Sequence, residues 1–456
     1  MGAVDGLASW NLQARHERVP DLPVLAEVDV LVVGGGPAGV AAATTAAEAG
    51  RSVLLVERYG FCGGAAVAGM SGTICGMYLA QETPAEPAQV VFGFTERFRQ
   101  ALVKPGGLTE PQRYGKTFTV THDPLVWREV ADDLLESAGV RILFHTAVTD
   151  VIVEGDAFRG VVLESNAGRS VVLAQRIIDA SGDAAVVSRG GYAYRFGDHG
   201  VIQNPTMFFR LGNVDVDTYL DFWGQDTICP DAISALIDRA VSAGTHALPR
   251  RKIWVFPSPR PNELMVNATR LTARDGTLLN VIDPAHFTEA EIRGRAQVRE
   301  YASFLAAHVP GLGKSFVVDT GVEVGIRQTR TIEGAETLTN DDVTSCRKRT
   351  DGICRSPWPI ELHVGDKPKL QWLIDDFYDV PFGALVPAVA ENVIVAGRSL
   401  SAEHEALASA RVTAQCFEYG HAAGVAASLS VETGSRFRDL DIGEIRRRMM
   451  LGGSAL

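Results

Sequence analysis

The sequence predicts an α/β fold: a parallel sheet bearing a small antiparallel meander, interrupted by an inserted mixed α+β domain. Three observations carry this expectation. Val28 to Arg58 reads as strand, glycine-rich turn, helix and second strand in immediate succession. Short apolar runs with glycine close by return at Val140–Phe144, Arg176–Ala180 and Asn392–Ala396, the pattern of strands buried on both faces. Between the last two, from about Gly200 to Val389, strand-like and helix-like pieces mix without that order.

The first strand, Val28 to Val33, ends at Gly34, and Gly34, Gly36 and Gly39 fall at G-x-G-x-x-G spacing. The first glycine permits a tight turn, the second lets a pyrophosphate lie against the backbone, and the third lets the helix pack close to the sheet. Pro37 suits the first helical turn, having no N–H to lose, and Gly50 closes the helix Ala38–Ala49. Val53–Val56 then leads into Glu57, where this motif places the acid that hydrogen-bonds an adenosine ribose. A lone glycine motif is weak evidence. Strand, glycines, helix, strand and acid in order make a Rossmann-like dinucleotide turn, whose free N–H groups and helix dipole attract phosphate. The residues imply a bound adenine dinucleotide, either FAD or NAD.

At 456 residues the length suits about three domains, or two large ones, and folding needs no disulfide staples. The 43 basic and 55 acidic residues leave a net charge of −12, which predicts neither a nucleic-acid nor an anionic-membrane partner. Six cysteines, at 62, 75, 229, 346, 354 and 416, lack C-x-x-C spacing. No metal site is therefore expected, and free thiols in a reducing cytoplasmic setting are. The first 26 residues lack a signal-peptide pattern, and no apolar run approaches the ~20 residues that span a bilayer.

Taken in order, Met1–Ala26 reads as an irregular polar arm. The stretch from Tyr59 to Tyr78, rich in small residues, suits a loop laid against a flat ligand or packed on the sheet. Residues 81–121 lose the pattern and carry proline and glycine loop signals. Asp123 reads as the N-cap and Pro124 as N1 of a helix running from Leu125 to Ser137. Val148–Ile178 predicts three or four short strands, turning at Gly155-Asp156 and Asn166-Ala167-Gly168. The middle region suggests strands at Thr206–Leu211, Ile253–Phe256 and Glu263–Ala268, and helices at Asp231–Ala243 and Glu289–His308. Thr413–Leu429 reads as a helix of small residues, with Gly420 and Gly424 on a face able to approach the sheet; Ile442–Met450 reads as a docked terminal helix. The expected division is a discontinuous dinucleotide domain (27–80, 122–199, 390–430), a substrate domain (81–121, 200–389) and a helical tail (431–456).

The segments GGGPAGVAAA (34–43), ERYGFCGG (57–64), IIDASGDA (177–184), GIRQTRTIEGAETLT (325–339) and ENVIVAGRSLSAEHEALASARVTAQC (391–416) carry a family likeness. The chain resembles the FAD-dependent oxidoreductases related to glutathione-reductase-type Rossmann flavoproteins and, more distantly, fumarate reductase flavoproteins. The resemblance implies FAD as cofactor. It implies that Gly34, Gly36, Ala38 and Gly39 line the pyrophosphate, Glu57 and Arg58 the adenosine, Gly63 and Gly64 the pyrophosphate and ribityl chain, and Val148 the adenine. It also places Ser181, Gly182 and Asp183 near the dinucleotide, and Gly397 and Arg398 in the ribityl-binding turn. Arg398, standing where many relatives carry an acid, is expected at a phosphate. Val412 and Thr413 would turn backbone N–H groups toward the flavin pyrimidine edge, where a helix N-terminus stabilises the charge that develops on reduction. Flavin disulfide reductases need two cysteines just beyond the glycine pair; here Cys62 precedes Gly63-Gly64 and the next is Cys75, so thiol–disulfide chemistry is not expected.

A flavin supplies hydride chemistry, leaving the protein to orient a substrate and manage a proton. The expectation is an enzyme that dehydrogenates or reduces a small organic substrate at flavin N5, with an electron donor or acceptor the residues do not name. His404 suits an acid or base near N5, and equally a histidine bonded to backbone. Arg327 and Arg330 suit a bidentate grip on a carboxylate, and equally ion pairs with Glu323 or Glu333; Arg411 faces the same choice. Cys62 is a packing residue, a reactive thiol or a flavin attachment point. Tyr114, Trp223, Trp254 and Trp358 suit a substrate pocket or a core. A flavin monooxygenase and a non-catalytic electron-transfer flavoprotein subunit are the alternative functions, and homo-oligomerisation stays open.

Overall fold

The computed structural model describes residues 22–363, 365 and 368–456. Most of the expected N-terminal arm lies outside the described residues. Its last part does not form an arm: the first strand already begins at Val24 and pairs with Val171 and Val172.

In chain order the first elements are β1 (Val24–Val33), α1 (Pro37–Glu48), β2 (Val53–Val56), α2 (Pro124–Ser137), β3 (Arg141–Leu143), β4 (Ala147–Glu154), β5 (Ala157–Ser165) and β6 (Gly168–Asp179). A second body contributes β7 (Phe209–Gly212), β8 (Trp254–Pro257), β9 (Leu264–Asn267), α3 (Pro284–His308) and β10 (Phe316–Thr320). The chain then returns with β11 (Val393–Val395), α4 (His404–Ala410), α5 (Thr413–Thr433) and α6 (Ile442–Leu451).

The main sheet has seven strands in the order β3-β2-β1-β6-β5-β4, with β11 also on β6. Pairings β1–β2, β1–β6, β2–β3 and β6–β11 are parallel, and β4–β5 and β5–β6 antiparallel. The 12-residue β6 explains how both kinds coexist. Along one edge it pairs with β5 as far as Leu173, and from Ile177 the vacated edge accepts β11. Arg176–Ala180 is thus the end of one long strand rather than a separate return to the sheet, and the meander consists of three full strands.

Helix α5 fills the space beside α1. A Cβ on Gly420 would lie 2.1 Å from the Ala38 carbonyl oxygen, and one on Gly424 would lie 2.6 Å from that of Ala42. The two glycines therefore approach a helix, not the sheet as expected, because alanine-rich α1 stands between. Since 420 faces 38 and 424 faces 42, the helices run parallel. Thr413 precedes Gly420 by seven residues, so the N-terminus of α5 projects about 10 Å beyond that contact.

The second body is an antiparallel sheet, β8-β9-β7-β10, with α3 and the helices Val216–Trp223 and Asp231–Ser242 around its own apolar core. Helix α3 starts five residues before its expected position. Asp283 caps it through the Ala285 N–H at 2.7 Å and Pro284 sits at N1, the same signature that starts α2 at Asp123-Pro124. Residues 81–121 contain a helix, Phe94–Val103, that their loop signals hid. Its Phe98 packs on Trp127 of α2 and Phe417 of α5, with ring centroids 4.6 and 4.7 Å apart. Among the described residues no helix is long and apolar enough to cross a membrane.

Candidate active site

One solvent-open cleft of about 1380 Å³ runs from the glycine turn to the second body. At its first end each glycine of the motif has a separate steric task. Gly34 has φ +100°, and a Cβ there would lie 2.6 Å from the Ala180 carbonyl oxygen. Gly39 is pressed on the turn itself, where a Cβ would fall 1.8 Å from the Gly34 carbonyl oxygen. At Gly36 a Cβ would meet nothing nearer than the Gly64 Cα at 3.8 Å, so this position keeps open space above the backbone.

Helices α1 and α5 both begin on this cleft, and neither N-cap residue, Gly36 or Val412, supplies a side-chain cap. Apart from the Ala414 N–H, which donates to the Cys75 carbonyl at 3.1 Å, their first-turn N–H groups have no side-chain cap, and the dipoles make both ends attractive to negative charge. An adenine dinucleotide with a charged diphosphate and an electron-accepting ring fits this pair of N-termini.

Carboxylates and arginines order the same end. Glu57 is buried; one oxygen accepts the Gly35 N–H at 2.6 Å and the other the Tyr59 N–H at 2.9 Å. Burial raises its pKa even against these bonds. Arg58 and the Tyr59 hydroxyl both donate to Glu323, which arrives from beyond β10. Arg398 pairs with Asp183 at 2.7 Å, and Thr329 donates to the same oxygen at 2.7 Å. Burial pushes the Asp183 pKa up, but Arg398 and Thr329 outweigh it and hold the carboxyl below its usual range.

The far end is lined by Tyr114, Phe208, Phe256, Asn267, Arg327, Trp358, Glu361, His363 and Arg411. The Tyr114 hydroxyl donates to Glu361 Oε1 at 2.6 Å, and His363 Nε2 lies 3.4 Å from the same oxygen. Arg250 approaches His363 Nδ1 at 3.3 Å as donor, which leaves the ring proton on Nε2. Burial first, then Arg327, Arg250 and Arg411, keep His363 well below the usual histidine range and therefore neutral.

Of the residues singled out from sequence, Gly34, Gly36, Ala38, Glu57, Arg58, Gly64, Ser181, Gly182, Gly397, Arg398, Val412 and Thr413 line the cleft, together with Arg327 and Arg411. Gly39, Gly63, Val148, Asp183 and His404 do not. Gly63 packs on Val67 and Trp127, and Val148 is a β4 residue opposite Leu163. His404 is half-buried with an unpartnered Nδ1, and burial lowers its pKa. Arg330 turns to the Asp183 carbonyl at 3.3 Å and over the Tyr194 ring. Cys62 is fully buried against Gly35. Tyr114 and Trp358 line the cleft, whereas Trp223 and Trp254 are core. Sequence reading missed Glu361, His363, Asn267 and Arg250. The only signal was Glu361 and His363 two apart around the strand Ile360–Leu362, which resembles an ordinary polar face.

A profile of the family described as FAD dependent oxidoreductase matches residues 29–449. The chain is 34% identical over 172 residues to thiamine thiazole synthase of Aeropyrum pernix, covering 35% of this chain and 57% of that protein. It is 27% identical over 259 residues to digeranylgeranylglycerophospholipid reductase of Methanoculleus marisnigri, covering 55% of this chain and 58% of that protein. The match thus spans a little over half the length of each of these relatives. In fold it resembles the flavin-dependent brominase Bmp2, with a TM-score of 0.50 and 14% identity over 92% of this chain and 83% of that one. With the family profile covering nearly its whole length, the chain belongs to the FAD dependent oxidoreductase family, and its cofactor is FAD.

Proposed function

We propose that this enzyme dehydrogenates or reduces a small organic substrate by hydride exchange at flavin N5. The supporting observation is the single cleft that joins two uncapped helix N-termini to a far end lined by aromatic rings, guanidiniums and one carboxylate. FAD, when bound, supplies the two-electron chemistry.

The chain's own residues bind, orient and move a proton. We place the cofactor on 27–80, 122–199 and 390–430, with Gly36, Ala38, Glu57, Gly64, Ser181, Gly182 and Gly397 against it and the N-terminus of α5 at the ring. The substrate lies against 81–121 and 200–389. Arg327 and Arg411 orient it. Glu361, already accepting from Tyr114, takes or returns the substrate proton. His404 stands off the cleft wall, so we give it no proton-transfer role.

Anaerobic mixing of the purified yellow protein with hydroxy acids, amines and enones tests this reading. One class should bleach the oxidised flavin or reoxidise the reduced form. Glu361→Gln should slow that step by about 100-fold or more with FAD still bound, and His404→Ala should leave it unchanged. NADPH-driven oxygen insertion would replace the reading with a monooxygenase, and protein unable to bind FAD would remove it altogether.

A further inference from the structure

Three guanidiniums meet at the far end of the cleft. Arg250 and Arg327 are 3% and 7% exposed, and Arg411 is half-buried on the wall. Their partners are neutral. Arg327 donates to the Asn204 carbonyl at 2.7 Å and to Asn267 Oδ1 at 3.4 Å, and Arg411 to Gln203 Oε1 at 3.0 Å. Arg250 donates to Asn267 Oδ1 at 2.9 Å and to His363. Among the described residues no carboxylate lies within 4.0 Å of any of the three, and Glu323, one expected partner, is taken by Arg58.

Such an arrangement opposes its own charge. Burial first, then Arg250 and Arg411, holds the Arg327 pKa well below the usual arginine range, and burial lowers Arg250 and Arg411 as well. Desolvated charges are tolerated when paired, yet here Asn204, Asn267 and Gln203 fix the guanidiniums in place without neutralising them. Arg411 Nε and Trp358 Nε1 are buried donors with no partner, and both residues line the cleft.

We propose that this end of the cleft binds the carboxylate of a small organic acid, and that the substrate of the reaction proposed above is such an acid. The inference rests on that reading for the word substrate, and on the geometry alone for the anion site. Arg327 and Arg411 face the cleft and receive the carboxylate, in charge-assisted bonds stronger than those they now make. Arg250, behind Asn267 and His363, adds its field. Phe208, Phe256 and Trp358 cover the carbon skeleton. Three guanidiniums against the single carboxylate of Glu361 leave two positive charges, so a dicarboxylate balances the site and a monocarboxylate does so only in part.

The test is a titration of the FAD-loaded full-length protein with acetate, malonate, succinate, glutarate and succinamide, followed by the visible flavin spectrum and by thermal unfolding. One dicarboxylate should perturb the spectrum, raise Tm and bind at least about tenfold tighter than succinamide, in keeping with charge-assisted bonding. Arg327→Gln should weaken that binding by about 30-fold or more, as when one partner of a buried charge pair is removed. Should this variant misfold, the comparison of diacids with diamide on the unaltered protein decides alone. Equal binding of acid and amide overturns the proposal. So does an Arg327→Gln protein whose flavin potential shifts while its acid affinity stays the same, because the guanidiniums would then serve the cofactor. If a diacid binds but no acid exchanges electrons with the flavin, the anion site stands and the claim that the substrate is an acid is overturned, while the hydride reading fails only if amines and enones are inert as well. If a neutral compound turns over and no acid binds, the hydride reading stands and the anion site fails.

Discussion

His122 shows what burial without a partner does to one side chain. Its ring is fully buried, packs on Trp127 at 4.5 Å between centroids, and finds no partner for either nitrogen. Burial lowers its pKa to about 4. The unfolded chain, titrating near 6.5, binds a proton that the folded chain refuses between these values, so stability rises with pH across the window. Stability should be fully present above about pH 6.5 and fall by roughly 3 kcal/mol as pH drops to about 4. Urea unfolding at pH 7 and pH 4.5 would measure this, and His122→Phe should flatten the difference. The glycine turn offers a second contrast. Gly39→Ala puts a methyl into the Gly34 carbonyl and should cost more than about 2 kcal/mol. Gly36→Ala adds a Cβ that meets only the Gly64 Cα at 3.8 Å, an ordinary contact, so thermal unfolding of the flavin-free protein should change by less than about 1 kcal/mol. Flavin retained through purification should nevertheless disappear. The motif was legible because the spacing of its glycines is fixed locally: Gly34 and Gly39 answer demands of the turn itself, and Gly36 leaves room for a ligand. Glu361 and His363 were not, since no local rule separates them from a solvated strand face.

At the scale of elements, chain signals located most helices and strands and misjudged their neighbours. Helix α2 was readable from Asp123-Pro124, and the identical cue at Asp283-Pro284 marks the true start of α3. The helix Phe94–Val103 was hidden by the prolines and glycines around it, because what stabilises it is its burial of Phe98 on Trp127 and Phe417. The small-residue face of α5 was visible, but its partner was not. Packing of Gly420 and Gly424 on α1 sets how far the two helix N-termini are offset along the cleft. Gly420→Leu should therefore do two things: destabilise by about 3 kcal/mol, as overpacking does, and weaken FAD binding by displacing the N-terminus of α5. Thermal unfolding and fluorescence titration with FAD would read the two effects separately.

For the whole molecule, the cofactor site is a meeting of distant segments: the turn after β1, the end of β6, the turn after β11 and the start of α5. A ligand that holds these together stabilises the native state by mass action. Free FAD at 100 times its Kd should add about 2.7 kcal/mol, with Tm rising as FAD is raised and levelling only logarithmically. Scanning calorimetry across an FAD series would check it; a Tm independent of FAD would mean that the cleft does not hold the cofactor. By itself the sequence determined the α/β class, the glycine turn and the return of the C-terminal segment to the sheet, because these rest on backbone conformation and apolar periodicity, which neighbouring residues encode; the residues left FAD and NAD open, and the family resemblance implied FAD. Only the tertiary structure decided that Glu323 belongs to Arg58, that Asp183 belongs to Arg398, and that Arg250, Arg327 and Arg411 share one end of the cleft without an acid. Charge pairing acts through space over a few ångströms, between residues that the chain keeps up to hundreds of positions apart, and no local pattern in the sequence records it.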